Sequence, residues 1–416
     1  MKNTAELADS ASEARGQTPT VRPLGDASAR PSAQPDRADR PHILYVIDEL
    51  CEMGGAERVL LNMIRLLPRE RFRCSLVTFK IEPSLRIFEN FPCPWHLFPM
   101  RRTYDWNALR VANQIRRLIR SQRVRIVHTF FETSDLWGGL VAKLSGQPVL
   151  VSSRRDMGIL RRPIHDRAYR LLNPMFDLVL TVSEEVRAFS MRQDHLAPEK
   201  VATLHNGIEI DKAATATDSA ALRAQLKLSG ASHIICAVAH IRRVKGLDIF
   251  VQAAAKVCRE FPHAVFVVVG GNHEPEYFRE LQRLTESLGL NDNIRFLGRR
   301  EEVFPLLKMS DVFCLPSRSE GFSNALVEAM ACSLPCVATR VGGNAEALQD
   351  GQNGFLVEPE DASATADRIL TLLRQPEWAR RMGHAARQAV EEKFTQEAMM
   401  KNLVGVYERL LAAKQR

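Results

Sequence analysis

Short apolar runs alternate with amphipathic stretches along most of the chain. His42–Ile47 is nearly continuously apolar, which is typical of a strand buried on both faces. A Gly-Gly turn follows, and then Ala56–Leu67 carries apolar residues at helical spacing. Further strand candidates with helix-like segments between them are Cys74–Phe79, Val124–Thr129, Pro148–Ser153 and Leu178–Val182. This alternation predicts βαβ units and a parallel, doubly wound α/β sheet.

The alternation pauses at Asp211–Gly230 and then starts again. The second series of strand candidates comprises His233–Ala239, Ala264–Val269, Ile294–Leu297, Val312–Leu315 and Cys336–Thr339. The helices predicted between them are 247–259, 274–288, 301–308 and 323–332. Residues 361–416 have the pattern of three amphipathic helices with breaks near 375 and 383.

These patterns divide the chain into four parts. Residues 1–40 are rich in Ala, Ser, Pro, Arg and Asp and are predicted to be a disordered tail, because they cannot bury enough apolar surface to offset their ordering entropy. We expect one Rossmann-like αβα domain over 41–212 and another over 213–392. Residues 393–416 would be a C-terminal helix that could pack back on the N-terminal domain. Two such domains create a cleft at the carboxyl ends of their strands, where ligands bind.

Composition excludes several classes of protein. The chain has 416 residues, 45% hydrophobic and 25% charged, with a formal net charge of +8. This excess is too small for an obligate nucleic-acid binder but suits an anionic substrate or membrane surface. No run has the ~18 apolar residues of a spanning helix, and the N-terminus does not resemble a signal peptide. The eight cysteines form no C-x-x-C pair, which favours buried thiols in the cytoplasm over zinc or disulfides.

The strongest candidate site is the segment from Pro316 to Met330, where a buried strand is followed by a Gly-containing loop and a helix. The N–H groups and dipole of a helix N-terminus favour a phosphate. Glu320 and Glu328 could both point into the cleft and accept hydrogen bonds from sugar hydroxyls. The alternative interpretation is an ordinary helix cap with a surface glutamate.

A second candidate is the basic segment from Val238 to Gly246, which also joins a buried strand to a helix. Fixed cations stabilise the negative charge that develops on a departing diphosphate. We therefore expect Arg242 and Lys245 to hold a pyrophosphate and Arg243 to be a solvated neighbour. The competing interpretation is a basic surface turn.

Five motifs stand out along the chain: GGAERVLLNM near the N-terminus, HNGIE at 205–209, SEGFSNALVEAMA with its E-x7-E pair, PCVATRVGGNAE and NGFLV. In combination, they resemble the retaining glycosyltransferases of family 4, which have the GT-B fold. The resemblance implies that Glu320 contacts the transferred sugar and Glu328 the nucleotide ribose. It also implies donor contacts at Gly321, Phe322, Ser323 and Asn324, and at Gly54 and Gly55 across the cleft.

The sequence departs from the family pattern at two places. The family usually has an arginine five positions before the lysine, and this chain has His240 there, which we keep as a donor-binding candidate. Many relatives have a histidine near the position of Arg154, close to the donor sugar. We keep Arg154 and Asp156 as candidates on the acceptor or sugar side, with His128 as a more distant one. Asn206-Gly207 is assigned mainly to structure, as a tight turn that needs a positive φ.

The resemblance implies a metal-independent hexosyltransferase that moves a sugar from a UDP- or GDP-sugar to a saccharide or lipid-linked saccharide, with no further cofactor. The chain has no Asp-x-Asp motif of the kind that clamps a metal and a sugar diphosphate in the other glycosyltransferase fold. Two alternatives stay open. One is a nucleotide-sugar epimerase of similar architecture, and the other is a catalytically silent scaffold that binds nucleotide sugar.

Arginines are interleaved with apolar residues in the predicted helix 106–121, including Arg110, Arg116, Arg117 and Arg120. One interpretation is a solvated helix face that also covers the sheet. The other is peripheral contact with an anionic membrane, each basic group contributing about 1 kcal/mol near the lipid surface. A lipid-linked acceptor would place the protein on the inner face of the membrane.

Overall fold

A computed structural model describes most of the chain. The described residues are 40–51, 54–82, 88, 90–100, 102–146, 148–158, 161, 163–215 and 219–415. The predicted tail at 1–40 lies outside them except for Arg40, so the prediction of disorder is not tested.

The first half is built on a parallel sheet with the strand order β3-β2-β1-β4-β5-β6-β7. Its strands are His42–Leu50 (β1), Arg73–Ile81 (β2), Trp95–Leu97 (β3), Val124–Phe130 (β4), Val149–Arg154 (β5), Leu178–Thr181 (β6) and Val201–Thr203 (β7). The helices that connect and follow them are Gly55–Leu66 (α1), Trp106–Ser121 (α2), Gly139–Leu144 (α3), Pro163–Leu172 (α4), Glu184–Gln193 (α5), Ile210–Thr215 (α6) and Ser219–Gln225 (α7).

The second half repeats this plan with the strand order β10-β9-β8-β11-β12-β13, again all parallel. Its strands are His233–Val238 (β8), Ala264–Val269 (β9), Ile294–Phe296 (β10), Val312–Leu315 (β11), Cys336–Thr339 (β12) and Phe355–Val357 (β13). Its helices are Leu247–Glu260 (α8), Pro275–Ser287 (α9), Val303–Lys308 (α10), Asn324–Ala331 (α11), Asn344–Ala347 (α12), Ala362–Arg374 (α13), Pro376–Lys393 (α14) and Gln396–Ala413 (α15).

Each sheet is doubly wound and has one point where the strand order reverses. This point lies between β1 and β4 in the first sheet and between β8 and β11 in the second. The crossovers on its two sides leave in opposite directions, which opens a crevice beyond the carboxyl ends of the strands. The predicted doubly wound α/β architecture is therefore confirmed.

Burial on both faces explains why the strands are so apolar. Every residue of β9 is buried, and helices cover both faces of each sheet, so most strand residues on either face are apolar. Helix α1 shows the complementary pattern, since Val59, Leu60 and Met63 lie on its buried side. Of the four three-residue strands in the described part of the chain, the sequence pattern predicts only β10, and it does not predict β3, β7 and β13.

The C-terminal helix α15 packs against the first sheet. Met399, Leu403 and Tyr407 belong to the same buried cluster as residues of β1, β2 and α1. The chain therefore crosses between the halves twice, and the crossings are joined by hydrogen bonds from Ile208 N to the Phe394 carbonyl (2.9 Å) and from Gln396 N to the Ile208 carbonyl (3.1 Å).

The predicted helix break near residue 383 is wrong. Gly383 lies inside α14, and the break falls after Lys393 instead. A β-carbon at Gly383 would overlap the carbonyl oxygen of Ser333. Glycine is present because another segment packs against the helix backbone there, and not because the helix ends.

We expect Gly383→Ala to lower the free energy of unfolding, although alanine is the better helix former by about 1 kcal/mol. The matched control is Gly405→Ala in α15, where an added β-carbon has no neighbour within 4 Å. This control should gain up to about 1 kcal/mol. Chemical denaturation of both variants checks the pair; stabilisation by Gly383→Ala would contradict the packing described.

Candidate active site

Two loops meet at the point where the second sheet reverses its strand order. One follows β8 and contains residues 239–246, and the other follows β11 and contains residues 316–323. Arg318 N donates to the Val244 carbonyl at 2.8 Å. Gly246 has a φ of 62° and lies so close to the Pro316 carbonyl that a β-carbon would overlap it. Glycine thus allows both the left-handed backbone and the close approach of the loops.

The junction of these loops brings Lys245 and Glu320 together. Lys245 Nζ lies 2.7 Å from Glu320 Oε1, and the Ser317 hydroxyl donates to the same oxygen at 2.7 Å. The glutamate is buried, while a quarter of the lysine side chain is exposed (24%). The ammonium group therefore neutralises a buried carboxylate and still presents charge at the rim of the crevice.

Arg318 supports both loops from behind, a role that the sequence did not predict. Its guanidinium binds both carboxylate oxygens of Asp248 at 2.9 and 2.7 Å and also contacts Glu360. It donates a further bond to the Arg243 carbonyl at 2.6 Å. Seventy residues separate Asp248 from Arg318, so no local pattern could reveal the pair.

The two residues between Glu320 and the N-cap of α11 provide backbone donors. Within the described part of the chain, the N–H groups of Gly321 and Phe322 donate no hydrogen bond. The Phe322 ring instead packs against His205 and Phe394, with centroids 5.4 and 5.3 Å away. Ser323 is the N-cap and accepts a bond from Leu326 N at 3.3 Å. Two backbone donors thus lie next to a buried carboxylate at a helix N-terminus.

Glu328 is half-buried on α11 and makes no hydrogen bond or ion pair within the described residues. Burial raises its pKa to about 7, although the charges of Arg58 and Lys212 act in the opposite direction. Arg58 belongs to α1 of the first half, so Glu328 faces that half. An unsatisfied carboxylate in this position can accept hydrogen bonds from paired hydroxyls.

The other basic residues of the β8 loop have partners other than Glu320. Arg242 is exposed and lies 3.2 Å from His273 Nδ1, and the rings of His240 and His273 are 4.3 Å apart. Arg243 is exposed and donates to Glu280 at 2.6 Å. Of the two cations predicted to hold the pyrophosphate, Arg242 and Lys245, only Lys245 contacts Glu320.

The Gly54-Gly55 turn of the first half faces α11 across the cleft. A β-carbon at Gly55 would lie 3.3 Å from Asn324 Nδ2. Gly54 is the N-cap of α1 and has no side chain to cap the helix. The preceding residues of this loop, 52 and 53, lie outside the described residues.

Asn206 connects the two halves, and the positive φ predicted for the Asn206-Gly207 turn is wrong. Neither Asn206 nor Gly207 has a positive φ. Gly207 is required instead because a β-carbon would overlap the Thr395 carbonyl. The Asn206 amide donates to Asn324 Oδ1 at 2.6 Å and accepts a bond from Arg155.

The two candidates on the sugar side of the first half, Arg154 and Asp156, have different surroundings. Arg154 is buried in an ion pair with Asp194 and donates to Asn173 Oδ1 at 2.5 Å. Asp156 is exposed and caps its own turn by accepting from Gly158 N at 2.6 Å. The neighbouring Arg155 lies at the junction of the halves, and burial lowers its pKa to about 10.

His128 has a structural position. Its Nδ1 lies 2.7 Å from the Tyr407 hydroxyl and its Nε2 lies 2.8 Å from Ser153 Oγ. Burial, with a smaller contribution from the charge of Arg155, lowers its pKa to about 3. His128 is therefore neutral, and its bond to Tyr407 stabilises the packing of α15 on β4. Both of its ring nitrogens have partners, so neither is free for a ligand.

Glu346 of α12 makes a second polar contact between the halves. It lies 2.7 Å from His205 Nε2 and accepts bonds from the N–H groups of Glu184 and Glu185 at 3.0 and 3.3 Å. Burial raises the pKa of this carboxyl, but the hydrogen bonds outweigh burial and hold the pKa below its ordinary value. A carboxylate of the second half thus caps helix α5 of the first.

Within the described ranges, no group of three or more His, Cys, Asp and Glu side chains converges as a metal site. No helix of these ranges combines the length and hydropathy needed to cross a membrane.

Both halves match sequence models of known families. Residues 53–212 match Glycosyltransferase Family 4, and residues 218–389 match Glycosyl transferases group 1. The N-acetyl-alpha-D-glucosaminyl L-malate synthase of Bacillus anthracis is 34% identical over 56% of this chain, and the match spans only 59% of that relative. The UDP-Gal:alpha-D-GlcNAc-diphosphoundecaprenol alpha-1,3-galactosyltransferase of Escherichia coli is 24% identical over 77% of this chain and 87% of its own length.

Solved structures show the same fold. HepE of Anabaena, solved in complex with UDP, superposes with a TM-score of 0.79 at 22% identity, covering 88% of this chain and all of that one (100%). A glycosyltransferase of Rickettsia africae gives a TM-score of 0.81 at 20% identity, covering 90% and 99%. The fold is GT-B, and the chain belongs to the group 1 glycosyltransferases of family 4.

We expect Glu328→Gln to stabilise the free protein at high pH. A pKa raised from 4.5 to about 7 means that the ionised carboxylate destabilises the fold above neutrality and costs nothing below pH ~4.5. Glutamine copies the protonated form, so the gain should grow between pH 5 and 8 to roughly 1–3 kcal/mol. Denaturant unfolding at both pH values checks this; an equal change at both would contradict it.

Proposed function

We propose that this protein is a retaining glycosyltransferase that moves a sugar from a nucleoside diphosphate sugar to an acceptor hydroxyl without a metal ion. The observation that carries the proposal is the contact of 2.7 Å between Lys245 and Glu320 at the strand-order reversal of the second sheet. It combines a cation for a diphosphate with a buried carboxylate for a sugar at the edge where α/β sheets bind ligands.

In this mechanism, Lys245 and the N–H groups of Gly321 and Phe322 bind the diphosphate, with Arg242 as a further cation from the same loop. Glu320 orients the transferred sugar and Glu328 accepts hydrogen bonds from the ribose. The bond from the anomeric carbon to the phosphate oxygen breaks, and a bond to the acceptor oxygen forms on the same face. The acceptor proton passes to the departing diphosphate. The negative charge that develops on the departing diphosphate is stabilised by these fixed cations and N–H donors, which lowers the activation barrier of the transfer.

The relatives support a choice of donor and acceptor. The Escherichia coli relative is a UDP-Gal transferase whose acceptor is a diphosphoundecaprenol-linked sugar, and HepE binds UDP. We therefore propose a UDP-sugar as the donor, ahead of a GDP-sugar. A saccharide or lipid-linked saccharide would be the acceptor, in polysaccharide or lipid-linked saccharide synthesis.

We also propose that the first half contacts an anionic membrane from the cytoplasmic side. The apolar residues Val111 and Ile115 of α2 are buried against the sheet and cannot contact lipid. Trp106 and Leu109 of the same helix are 87% and 61% exposed, and the α2 arginines at 110, 116, 117 and 120 are exposed as well. Exposed tryptophan beside arginines is typical of helices that lie at a lipid surface.

We expect Lys245→Ala to lower kcat/KM by roughly 10²- to 10³-fold, because one charge-stabilising group is lost from the transition state. The donor would first be identified as the nucleotide sugar that raises Tm selectively. Arg243→Ala is the matched control from the same loop and should change kcat/KM less than threefold. Steady-state kinetics with 5 mM EDTA throughout measures both; near-normal activity of Lys245→Ala would contradict the proposal.

Product analysis separates the proposal from its two alternatives. Transfer requires an acceptor, and NMR of the new linkage should show the anomeric configuration of the donor. An isomerised nucleotide sugar formed without acceptor would indicate an epimerase. Binding of donor without turnover, over a broad panel of acceptors, would indicate a scaffold.

Flotation with vesicles tests the membrane contact. We expect the protein to float with vesicles that contain 30% phosphatidylglycerol at low salt, and Arg116→Ser/Arg117→Ser to reduce the bound fraction several-fold, since each basic group contributes about 1 kcal/mol. The matched control is Arg380→Ser/Arg381→Ser, an exposed arginine pair on α14 of the second half. Equal loss in both double variants, or no binding by the wild type, would contradict the contact.

A further inference from the structure

Two cysteines face each other at the edge of the first sheet. Cys74 lies in β2, and Cys93 lies two residues before β3. The parallel register pairs Leu76 with Trp95, and Leu76 N donates to the Pro94 carbonyl at 2.9 Å. Cys74 precedes Leu76 by two residues, and Cys93 precedes Trp95 by two residues. The two cysteines therefore lie opposite each other on neighbouring segments. Such positions have Cα atoms about 5 Å apart, a separation that a disulfide can span.

Arg69 fixes the local geometry and supplies a positive charge. Its Nη1 donates to Cys74 Sγ at 2.7 Å, and its Nη2 donates to the carbonyls of Ile64 and Pro92 at 2.6 and 3.0 Å. The guanidinium therefore ties the end of α1 to the segment that carries Cys93 and contacts the sulfur of Cys74. A cation beside a thiol favours the thiolate, which is the nucleophilic form.

The two sulfurs have different electrostatic environments. A hydrogen bond from the Cys93 thiol, with the nearby Arg69, lowers the pKa of Cys74 to about 7 despite burial. The same contact, together with burial, raises the pKa of Cys93. One thiol is therefore prepared as a nucleophile and the other as its proton donor, an asymmetry that reactive cysteine pairs require.

The remaining cysteines provide an internal comparison. Cys51 and Cys258 are more exposed than Cys74, yet burial raises the pKa of each, for Cys258 to about 11. Exposure alone would make Cys51 and Cys258 react before Cys74. Because Arg69 contacts the sulfur of Cys74, we expect Cys74 to react first.

We propose that Cys74 and Cys93 form an oxidisable dithiol, with Cys74 as the residue that reacts with a peroxide and Cys93 as the residue that resolves the product. The Cys74 thiolate attacks a peroxide oxygen, the O–O bond breaks, and the sulfur becomes a sulfenic acid as the other oxygen leaves as water (or an alcohol). The Cys93 sulfur then displaces the sulfenic oxygen as a second water. Two thiols are oxidised by two electrons and one peroxide is reduced.

This site is independent of the proposed function. Cys74 lies near the start of β2, whereas Lys245 and Glu320 belong to the second half. The disulfide would join β2 to the segment before the edge strand β3 and close a loop between them. We therefore expect oxidation to raise Tm and to leave the affinity for nucleotide sugar unchanged.

Peroxide titration with differential alkylation and peptide mass spectrometry tests the proposal. In the full-length wild type, one equivalent of hydrogen peroxide should yield a cross-linked Cys74–Cys93 peptide, lighter by two hydrogen atoms than the reduced pair. Cys93→Ser should accumulate a sulfenic acid at Cys74 that dimedone traps, and Cys74→Ser should give neither product. Cys258→Ser is the control and should behave like the wild type.

The rate of iodoacetamide labelling at each cysteine provides a measurement that needs no variant. Cys74 should label faster than Cys51 and Cys258 at pH 7.5, with a midpoint near pH 7. The proposal would be overturned if Cys51 or Cys258 is oxidised or labelled before Cys74. It would also be overturned if Cys74 stays unmodified in both the wild type and Cys93→Ser.

Discussion

The contact between Lys245 and Glu320 depends on how closely two loops approach each other at the strand-order reversal of the second sheet. A buried carboxylate is stable only with a partner, and here the ammonium of Lys245 and the hydroxyl of Ser317 both bind the same oxygen. Their positions follow from the backbone: Gly246 permits the approach, and the Thr339 hydroxyl donates to the Ser317 carbonyl at 2.5 Å. The N–H groups of Gly321 and Phe322, which directly follow Glu320, donate no hydrogen bond within the described residues. The arrangement of charges and donors at the site therefore depends on how the two loops pack.

The halves are linked by polar groups close to this site rather than by apolar packing alone. Asn206 binds both Arg155 and Asn324, and Glu346 binds His205 and the start of α5. Hydrogen bonds of this kind can be exchanged with water at small net cost, unlike the buried cluster that holds α15 on the first sheet. The arrangement is suited to a cleft that opens for substrate and closes over it, with α15 remaining attached to the first half.

Much of the fold could be predicted from the sequence, because strands buried on both faces are nearly continuously apolar and their order of appearance is that of βαβ units. The E-x7-E segment and Lys245 could be found because each follows such a strand.

The sequence predicts a residue's role less well where that role depends on a distant partner. Arg154 and Arg155 are neighbours in sequence, yet one is buried against Asp194 and the other lies at the junction of the halves. A β-carbon at Gly383 would overlap the carbonyl of Ser333, which is 50 residues away in sequence. A β-carbon at Gly207 would overlap the carbonyl of Thr395, which is 188 residues away. The pairing of Cys74 with Cys93 depends on a three-residue edge strand that shows no pattern of its own.

In the proposed mechanism, Lys245, Glu320 and the segment that leads into α11 form a single site for a nucleoside diphosphate sugar. A crystal structure of the protein with UDP tests it most directly. We expect a phosphate oxygen within hydrogen-bonding distance of Lys245 Nζ and of the Gly321 and Phe322 N–H groups, with the ribose hydroxyls on Glu328. UDP bound elsewhere in the cleft, with the bond between Lys245 and Glu320 intact and Glu328 without a partner, would contradict it.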